Sequence, residues 1–462
     1  MTGWPERPSW ARRSSPPWGD VGSSGETRVS RPRPPEADSL HWHRIPDSEG
    51  RQPEVPLNRV GTEPIPVGGT PLWDDLGVPS QRTVVGLFAG IGGIEVGLGR
   101  SGFHPELLCE YWAPARSVLE HRFPGVPVVG DIEELRSLPP VEVVTAGFPC
   151  TDLSQAGLTA GIEGQQSGLV RKALSLVENH PARWLILENV RNMLPLHGGR
   201  AMHAITSELD RMGFRWAYRV VDSRFTGVPQ RRQRVILMAS RTDDPRTVLF
   251  AEDAGERPVE TYRDDAFGFY WTEGLRGLGW CRDGVPTLKG GSTIGIPSSP
   301  AVWIPENPPG LRFVTPGVPT AERLQGFRKG WTEPASRVPK GARARWKLAG
   351  NAVTVGVSAW IGRRLVNPGV WDSSLASPLD AGSKWPMAAY GESGGTWRVD
   401  VSMWPERAPY KHLVPLMGDD FTRLSVRGAA GFLSRLERGN LRVPDEFRID
   451  LKEHIEIPPE LG

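Results

Sequence analysis

Cysteine is scarce in this chain of 462 residues, which contains only Cys109, Cys150 and Cys281, far apart in the sequence. So few cysteines exclude a disulfide framework and are typical of a protein from a reducing compartment. The sequence also lacks a run of about eighteen apolar residues, which argues against a transmembrane helix. Its first residues contain no apolar segment of the kind that secretory signals need. We therefore expect a cytoplasmic protein with no membrane partner.

An excess of charge of one sign is absent as well. The 55 Lys and Arg residues nearly balance the 53 Asp and Glu residues, and the formal net charge is +2. Net charge alone therefore does not indicate a nucleic-acid partner. A local basic surface can still bind phosphates, so such a partner is not excluded.

Residues 1–80 lack the apolar periodicity of folded segments and are rich in Pro, Ser, Arg and Gly. This composition buries too little apolar surface to offset the loss of chain entropy, so we predict a disordered N-terminal arm. Two interpretations of the arm stay open. It is either a basic segment that binds phosphates or a solvated tail. The second interpretation includes the case in which the start codon has been assigned too early.

From Arg82 onward, short apolar runs alternate with helical patterns. This order predicts a doubly wound α/β sheet over residues 81–240, with ligand sites at the carboxyl ends of its strands. Residues 241–340 contain many Pro and Gly and are expected to form a smaller, loop-rich domain. Residues 341–366 have a helical pattern, and residues 367–462 form a C-terminal extension of unknown role that begins with a linker-like stretch. The seven predicted strands contain TVVGLFAG, ELLCEY, VPVVGD, VEVVTAGF, RWLILENV, FRWAYRVVD and RRQRVILMAS.

The first candidate site is a glycine-rich loop from Phe88 to Gly93, which includes Gly90 and lies between a predicted strand and a predicted helix. Glycines at such a turn let the backbone approach a ligand closely. Glu110 ends the next strand, where an acid can accept hydrogen bonds from both ribose hydroxyls. Asp131 ends the third strand, where it can meet an adenine amino group. Each acid alone also fits a solvated strand end, but together with the loop they indicate an adenosine-containing cofactor.

The second candidate is Cys150, in the sequence GFPCTDLS after the fourth predicted strand. Pro149 stiffens this loop and disfavours helix at Phe148, which can hold the sulfur at the carboxyl edge of the sheet. A buried, inert thiol is the commoner state of a cysteine, and we expect it for Cys109 inside an apolar strand. Cys150 is a nucleophile candidate because it lies in a turn beside the predicted cofactor site.

The third and fourth candidates follow later strands. Glu188, in LENV, closes the fifth predicted strand, where a glutamate is costly to bury without a partner and is suited to share a proton. A glutamate that simply reaches solvent is the alternative. Arg232 and Arg234, in VPQRRQR, point to one face of an extended run and suit contacts to a carboxylate, a phosphate or a base oxygen. A charged start of a strand is the alternative for this pair.

Taken in order, these blocks resemble the DNA cytosine-C5 methyltransferase family. The resemblance covers roughly residues 82–365, and the ordered set is far more specific than any one block. It rests on LFAGIGG, CEY, GDIEEL, GFPCTDLS, SGL, LENV, VPQRRQR, AERLQGF and AGNAV. The resemblance implies a Rossmann-like, S-adenosylmethionine-dependent methyltransferase fold that methylates cytosine C5 in double-stranded DNA. It also implies a target-recognition domain within residues 241–340, and a C-terminal helix that returns to the catalytic domain.

The resemblance also assigns site residues. Cys150 would attack cytosine C6, Glu188 would be the proton partner of the ring, and Arg232 and Arg234 would support them. The predicted cofactor-binding residues are Phe88, Gly90, Ile91, Gly93, Glu110, Tyr111, Asp131, Ile132, Pro149, Leu169, Asn351 and Val353. The predicted DNA contacts are Ser154, Gln230, Lys289, Ser292 and Thr293, of which the last three lie in a loop that equally fits a bare connector. We expect a monomer without a metal site.

Two positions depart from the family pattern. Gly86 stands where related sequences often carry an acid before LFAG, and we expect this change to alter hydrogen bonding in the glycine-rich loop. Thr151 stands where many related sequences have Gln, which we expect to change the contacts of the cysteine loop to the DNA backbone.

Three other functions remain open at this point: an RNA cytosine methyltransferase, a catalytically silent DNA-binding subunit and a nicotinamide oxidoreductase. The long variable region after the arginine block favours DNA, and the presence of both Cys150 and Glu188 argues against a silent subunit. An oxidoreductase explains only the glycine-rich loop. In the cell we expect a role in restriction or phage defence, with an orphan regulatory methylase as the alternative. The helix predicted near residues 424–438 is expected to pack on the core rather than bind a partner.

Overall fold

The computed structural model of this protein describes residues 82–148, 168–271, 277–289, 300–392 and 394–458. The strands in these residues are β1 (Thr83–Leu87), β2 (His104–Cys109), β3 (Val128–Val129), β4 (Val143–Ala146), β5 (Trp184–Val190), β6 (Arg215–Asp222), β7 (Gln230–Arg231), β8 (Gln233–Ser240), β9 (Phe267–Tyr270), β10 (Gly279–Arg282), β11 (Val285–Pro286), β12 (Ala301–Trp303), β13 (Phe313–Pro316), β14 (Ala376–Pro378), β15 (Ala388–Glu392), β16 (Gly395–Val399) and β17 (Phe421–Arg423). The α-helices are α1 (Gly93–Gly99), α2 (Ala113–Arg122), α3 (Gly168–Glu178), α4 (Arg200–Arg211), α5 (Arg246–Leu249), α6 (Val318–Leu324), α7 (Gly341–Asn351), α8 (Val355–Val366), α9 (Leu413–Met417), α10 (Val426–Arg438) and α11 (Asp445–Glu456). None of these helices is long and apolar enough to cross a membrane.

The first five strands form the parallel half of one large sheet. β1 pairs in parallel with β2 and β4, and the order in this half is β3-β2-β1-β4-β5. All residues of β1 are buried, as expected of a central parallel strand that is covered on both faces. The strand order reverses between β1 and β4. The carboxyl ends of these two strands therefore border the switch point at which ligands bind in such sheets.

The other half of the sheet is antiparallel. β8 and β6 follow β5, and three later strands complete the order β14-β16-β15-β6-β8-β5-β4-β1-β2-β3. Two expectations are corrected here. The stretch after residue 367 is not a linker, because β15 buries Ala388, Ala389 and Tyr390 beside β6. The seventh predicted strand is interrupted at Arg232. The part before Arg232, β7, does not belong to the large sheet and pairs with β11 instead.

Helices cover both faces of the large sheet. α4 buries Leu209 against one face, and α1 and α8 bury Leu98 and Trp360 against the other. α1 and α8 approach closely at Gly97, where an added Cβ would overlap the Cβ of Ser358. This layered arrangement confirms the doubly wound α/β fold that the alternation of strands and helices predicts.

A smaller antiparallel sheet has the order β10-β9-β12-β13-β17. Its first four strands come from the segment expected to be loop-rich, and β17 comes from the C-terminal extension. Phe432 of α10 and Phe447 of α11 are fully buried on this sheet, with ring centroids 4.5 and 5.3 Å from that of Phe269. The predicted C-terminal helix therefore packs on the core. Residues 367–462 supply strands to both sheets and a helical cover to the smaller one.

Replacing Phe447 with Ala is expected to lower the free energy of unfolding by about 3–5 kcal/mol, because it leaves a cavity among the aromatic rings of the smaller sheet. Urea denaturation followed by tryptophan fluorescence measures this change. Ile449→Ala in the same helix is the matched control. Ile449 is 65% exposed, so its loss is expected to stay within about 0.5 kcal/mol. Equal losses in both variants would show that α11 adds nothing specific to this core.

Candidate active site

The turn after β1 has the backbone geometry of a ligand-binding loop. Phe88 has a φ of 53° and Gly90 a φ of 59°, so the chain enters the left-handed region twice within three residues. A side chain at Gly90 would meet no atom within 4 Å. The loop is thus tightly turned and open at Gly90, which allows a bound molecule to approach its backbone.

Glu110, directly after β2, holds this loop in place. Its Oε2 accepts the N–H of Gly90 at 2.8 Å, and its Oε1 accepts the N–H of Trp112 at 2.8 Å. Burial raises the pKa of Glu110, and the two backbone donors and the Arg116 guanidinium oppose this rise. Each carboxylate oxygen keeps a second lone pair. Glu110 therefore shapes the loop and still has the capacity to accept bonds from a ligand.

Four other predicted cofactor residues lie near the carboxyl ends of β2 and β3 or at the start of α3. Tyr111 is 78% exposed and offers its ring to a ligand. Asp131 is half-buried, and its Oδ1 accepts the N–H of Glu133 at 3.0 Å. Ile132 is buried, whereas Leu169 is half-buried against the core of the large sheet. Tyr111, Asp131 and Leu169 are therefore the accessible members of this group.

The predicted role of Ile91 is corrected. Its side chain is 1% exposed in the apolar cluster around α2, and its carbonyl oxygen accepts the Nε1–H of Trp331 at 2.9 Å. Ile91 therefore anchors the loop instead of lining a ligand site. Gly93 is needed for packing, since an added Cβ would lie 2.5 Å from the carbonyl oxygen of Val353. Asn351 is exposed and Val353 half-buried, so both remain accessible.

Glu188 in β5 and Arg234 in β8 form a buried ion pair, with Nε of Arg234 2.9 Å from Oε1 of Glu188 and each side chain 11% exposed. The antiparallel register sets Val190 opposite Arg234 and Glu188 opposite Ile236. The two charged residues are thus diagonal neighbours on one face of the sheet. Arg234 is the partner that the burial of Glu188 requires.

The end of β4 brings the chain that precedes Cys150 to this ion pair. An added Cβ on Gly147 would lie 3.7 Å from Oε2 of Glu188. The Nδ2 group of Asn189 donates to the carbonyl oxygen of Phe148 at 3.1 Å. Cys150 itself lies outside the described residues. The backbone two and three positions before Cys150 is therefore fixed beside Glu188.

Arg232 is 1% exposed and bonds to backbone carbonyls. Its guanidinium donates to the oxygen of Leu288 at 3.2 Å and to that of Ala352 at 2.8 Å. Burial lowers the pKa of Arg232, and the neighbouring Arg234 lowers it further. Arg232 joins the start of β8 to the chain after β11 and to the end of α7. The structure thus makes it a positioning residue.

Gln230 is completely buried, so its predicted contact to DNA is wrong for this structure. Its Nε2 group donates to the carbonyl oxygen of Leu324 at 3.0 Å and to Oε1 of Gln325 at 3.2 Å. Its own Oε1 accepts the N–H of Leu288 at 3.1 Å. Gln230 is a bridge between α6 and the chain after β11.

Lys289 is the predicted DNA contact that the structure leaves accessible. It is half-buried, its Nζ lies 4.1 Å from the ring centroid of Tyr270, and its carbonyl oxygen accepts the Nε1–H of Trp346 at 3.1 Å. These contacts hold the start of the TLKGGSTIG loop on the smaller sheet. The residues of the remaining predictions lie outside the described part of the chain: the N-terminal arm, Pro149, Cys150, Thr151, Ser154, Ser292 and Thr293.

The other two cysteines are buried thiols. Burial raises the pKa of Cys109 to about 12 and that of Cys281 to about 11. Neither has the thiolate character of a nucleophile at neutral pH, which agrees with the expectation for Cys109. Within the ranges that the structure describes, no three His, Cys, Asp or Glu side chains are grouped to hold a metal ion.

Two polar residues of this region were not predicted from the sequence. Asn189 follows Glu188 in LENV and bonds to the carbonyl oxygen of Phe148, before Cys150. It is buried, and an amide at the end of an apolar strand could have indicated its role. Glu95 in α1 is 2% exposed and accepts a hydrogen bond from the Thr145 hydroxyl at 3.3 Å. In the sequence, an acid beside Ile94 on the apolar side of a short helix could have indicated that Glu95 is buried.

Known proteins with similar sequences decide between the open functions. Residues 82–266 match the family model described as C-5 cytosine-specific DNA methylase. The chain is 45% identical over 378 residues to the type II methyltransferase M2.BsuMI of Bacillus subtilis strain 168, and the match covers 79% of this chain and 96% of that protein. The chain belongs to the C-5 cytosine-specific DNA methylase family. It is therefore a DNA (cytosine-5-)-methyltransferase, and the oxidoreductase and RNA-methyltransferase interpretations fall away.

More distant relatives are similar over shorter parts of the chain. The type II methyltransferase M.MspI of Moraxella sp is 26% identical over 311 residues, which cover 62% of this chain and 71% of that protein. Among solved structures, the Dnmt2 methyltransferase of S. pombe aligns with a TM-score of 0.46 and 15% identity, over 62% of this chain and 99% of that chain.

Arg232→Lys is expected to lower the free energy of unfolding by about 2–4 kcal/mol, because one ammonium cannot replace two buried guanidinium bonds. Arg231→Lys is the matched control, since Arg231 is the neighbouring residue and is exposed. Its loss is expected to stay within about 0.5 kcal/mol. Urea denaturation measures both variants. If Arg232→Lys were as stable as its control, the bridge from β8 to α7 would have no energetic role.

Proposed function

We propose that this enzyme transfers a methyl group from S-adenosylmethionine to C5 of a flipped cytosine in a specific DNA sequence, through a covalent bond between Cys150 and C6. The observation that carries this proposal is the buried Glu188–Arg234 pair beside Gly147 and Phe148. A proton partner and its counter-ion thus stand next to the backbone that leads into the cysteine loop.

The cofactor site fits an adenosine with a short charged tail. Gly90 leaves open space at the loop, both oxygens of Glu110 retain acceptor capacity, and Tyr111 presents an exposed ring. When bound, S-adenosylmethionine supplies the methyl group. The residues proposed to hold it are Phe88, Gly90, Gly93, Glu110, Tyr111, Asp131, Ile132, Pro149, Leu169, Asn351 and Val353. Ile91 acts behind them by anchoring the loop.

Cys150 is proposed to make cytosine reactive. C5 of cytosine is a poor nucleophile, but addition of a thiolate to C6 turns the ring into an enamine that can take a methyl group at C5. After methyl transfer a base removes the C5 proton, and the electron pair of that bond re-forms the C5–C6 double bond and expels the thiolate. A thiol is the suitable nucleophile because it is soft and forms a thiolate readily.

Glu188 is proposed to hold the proton that this addition requires at N3 of the ring. Attack at C6 builds negative charge on the ring, and a hydrogen bond or proton at N3 disperses it. Arg234 keeps Glu188 in place through the ion pair of 2.9 Å and is proposed to hold O2 of the base. Arg232 fixes the start of β8 and so keeps Arg234 in register.

The substrate is proposed to be duplex DNA from which one cytosine is flipped out, because C6 cannot be reached inside a base-paired helix. The smaller sheet and its loops are proposed to read the sequence, with Lys289 at the start of the loop that contains Ser292 and Thr293. Ser154 is proposed as a further DNA contact. Bisulfite sequencing of DNA from cells that express the enzyme identifies the target sequence.

The proposed role in the cell is protection of host DNA within a restriction or phage-defence system. The printed names of the relatives support it, since M2.BsuMI and M.MspI are both type II methyltransferases. An orphan regulatory methylase remains the second candidate. Restriction digestion of DNA from expressing and non-expressing cells, with enzymes that cut the mapped target, distinguishes protection from a methylation mark without a matching nuclease.

Cys150→Ser is expected to abolish transfer of labelled methyl groups to duplex DNA, because a hydroxyl is far less nucleophilic toward C6. Binding of S-adenosylmethionine and of DNA is expected to stay within about twofold, since neither depends on the thiolate. Filter binding of the methylated DNA and calorimetry measure the two properties. Cys281→Ala, which removes a buried thiol elsewhere, serves as the control and should retain transfer. A Cys150→Ser enzyme that still methylated cytosine would remove Cys150 from the mechanism.

Glu188→Gln is expected to lower the rate of methyl transfer by about a hundredfold or more, because an amide cannot deliver a proton to N3. DNA affinity is expected to change little. Single-turnover transfer and gel-shift titration separate the two effects. Glu178→Gln, at the far end of α3, is the matched control and is expected to keep the full rate. Unchanged turnover in Glu188→Gln would refute the proton role of Glu188.

A further inference from the structure

Glu95 is a buried acid that the proposed mechanism leaves unused. It lies in the first turn of α1, directly after the glycine-rich loop, and is 2% exposed. Ile94 and Leu98 of the same helix are buried in the apolar core. A carboxyl group in such surroundings is costly unless it has hydrogen-bond partners or carries a proton.

Space for this side chain exists because residue 86 in β1 is Gly. An added Cβ on Gly86 would overlap Oε1 of Glu95 and would lie 3.0 Å from Cδ2 of Leu108. The Glu95 carboxyl therefore fills the place that a side chain from β1 would take.

Thr145 of β4 contacts both Glu95 and β1. Its hydroxyl oxygen is 3.3 Å from Oε1 of Glu95 and 3.4 Å from the carbonyl oxygen of Val85. Oε2 of Glu95 has no hydrogen-bond partner among the residues that the structure describes. Burial raises the pKa of Glu95 to about 7. The carboxyl faces Gly86 of β1 and Thr145 of β4, and no charged side chain among the described residues contributes to the shift of its pKa.

One proton decides how this network is arranged. A neutral Glu95 donates to the Thr145 hydroxyl, which is then free to donate to the Val85 carbonyl, so both contacts are made. An ionised Glu95 draws the hydroxyl proton to itself, and the carbonyl of Val85 loses its side-chain donor. The charge is then buried with two neutral donors, the Thr145 hydroxyl and the backbone N–H of Glu95, and no charged partner, which is a costly state. The neutral form therefore ties α1, β1 and β4 together more completely.

This network lies directly beneath the site, since β1 leads into Phe88 and β4 leads into Gly147. We propose that neutral Glu95 is a positioning residue that holds the loop from Phe88 to Gly93 in the shape that binds the cofactor, and that ionisation of Glu95 weakens this binding. The proposal rests on the function proposed above, in which this loop binds S-adenosylmethionine. A loop that is competent only while Glu95 is neutral lowers the apparent affinity in proportion to the neutral fraction.

The same network makes the stability of the ligand-free protein depend on pH. The pKa of Glu95 rises from 4.5 to about 7 on folding, so between these values the folded protein holds a proton that the unfolded chain has lost. The stability from this group is therefore full at lower pH and is lost as the pH rises through about 7. Gln at position 95 keeps the shape, can donate to Thr145 and does not titrate.

Calorimetric titration of the wild type and of Glu95→Gln from about pH 6 to about pH 8 tests the proposal. In the wild type, the Kd for S-adenosylmethionine and that for its demethylated product are both expected to rise about tenfold, whereas Glu95→Gln is expected to change less than about twofold. Parallel pH profiles in the two proteins would overturn the proposal. A wild-type change confined to S-adenosylmethionine would also overturn it, because Glu95 would then act on the sulfonium charge and not on the loop.

Thermal melting of the ligand-free proteins provides a readout that needs no cofactor. The Tm of the wild type relative to Glu95→Gln is expected to fall from about pH 5 to about pH 8. Gly86→Ala is expected to lower the Tm by displacing the carboxyl, and Glu95→Ala in the same chain is expected to relieve most of that loss. Strictly additive losses would overturn the shared-space argument.

The two readouts separate the possible failures. If S-adenosylmethionine bound at no pH, the proposed function would fail and this inference with it, whatever the melting profiles were. If S-adenosylmethionine bound with the same pH dependence in both proteins, the proposed function would stand and the role of Glu95 alone would be refuted.

Discussion

The ion pair between Glu188 and Arg234 is the interaction on which the site depends. It forms at the border of the two halves of the sheet, where the last parallel strand, β5, meets the first antiparallel strand, β8. The antiparallel register makes the two residues diagonal neighbours on one face, so each charge is buried with its partner already in place. A wholly parallel sheet would have no β8 at this position, and Glu188 would need another counter-ion.

The position of β8 depends in turn on contacts outside the large sheet. Arg232 precedes β8 and binds the carbonyl oxygens of Leu288 and Ala352, which belong to the chain after β11 and to the end of α7. Gln230 adds a second bridge to the same region through Leu324 and Leu288. The arginine block is therefore a junction, in which buried side chains satisfy backbone groups that loops leave open. Within this block, Arg234 is the residue that forms the ion pair with Glu188.

The sequence predicted the parallel half of the fold well, because buried parallel strands are continuous apolar runs and their ends carry polar residues. This pattern located Glu110, Asp131 and Glu188 correctly at strand ends. It failed for the stretch after residue 367, whose three strands are short and lie at the edge of the sheet, where apolar runs are brief. It also misjudged Gln230 and Ile91, because a motif fixes the order of residues and not which side of the backbone meets the core.

Glu95 shows why motif positions alone do not determine the chemistry beneath the glycine-rich loop. Gly86 stands where the family pattern described above has an acid, yet the structure places a carboxyl from the helix beside Gly86. The surroundings, and not the position in the sequence, decide the state of that acid, since it is 2% exposed and only neutral donors bond to it, the Thr145 hydroxyl and a backbone N–H. An acid on a strand and an acid on a helix differ in what they connect, because the second links α1 to β4. In this chain the loop that is proposed to bind the cofactor and the strand that precedes Cys150 are therefore joined through the buried carboxyl of Glu95.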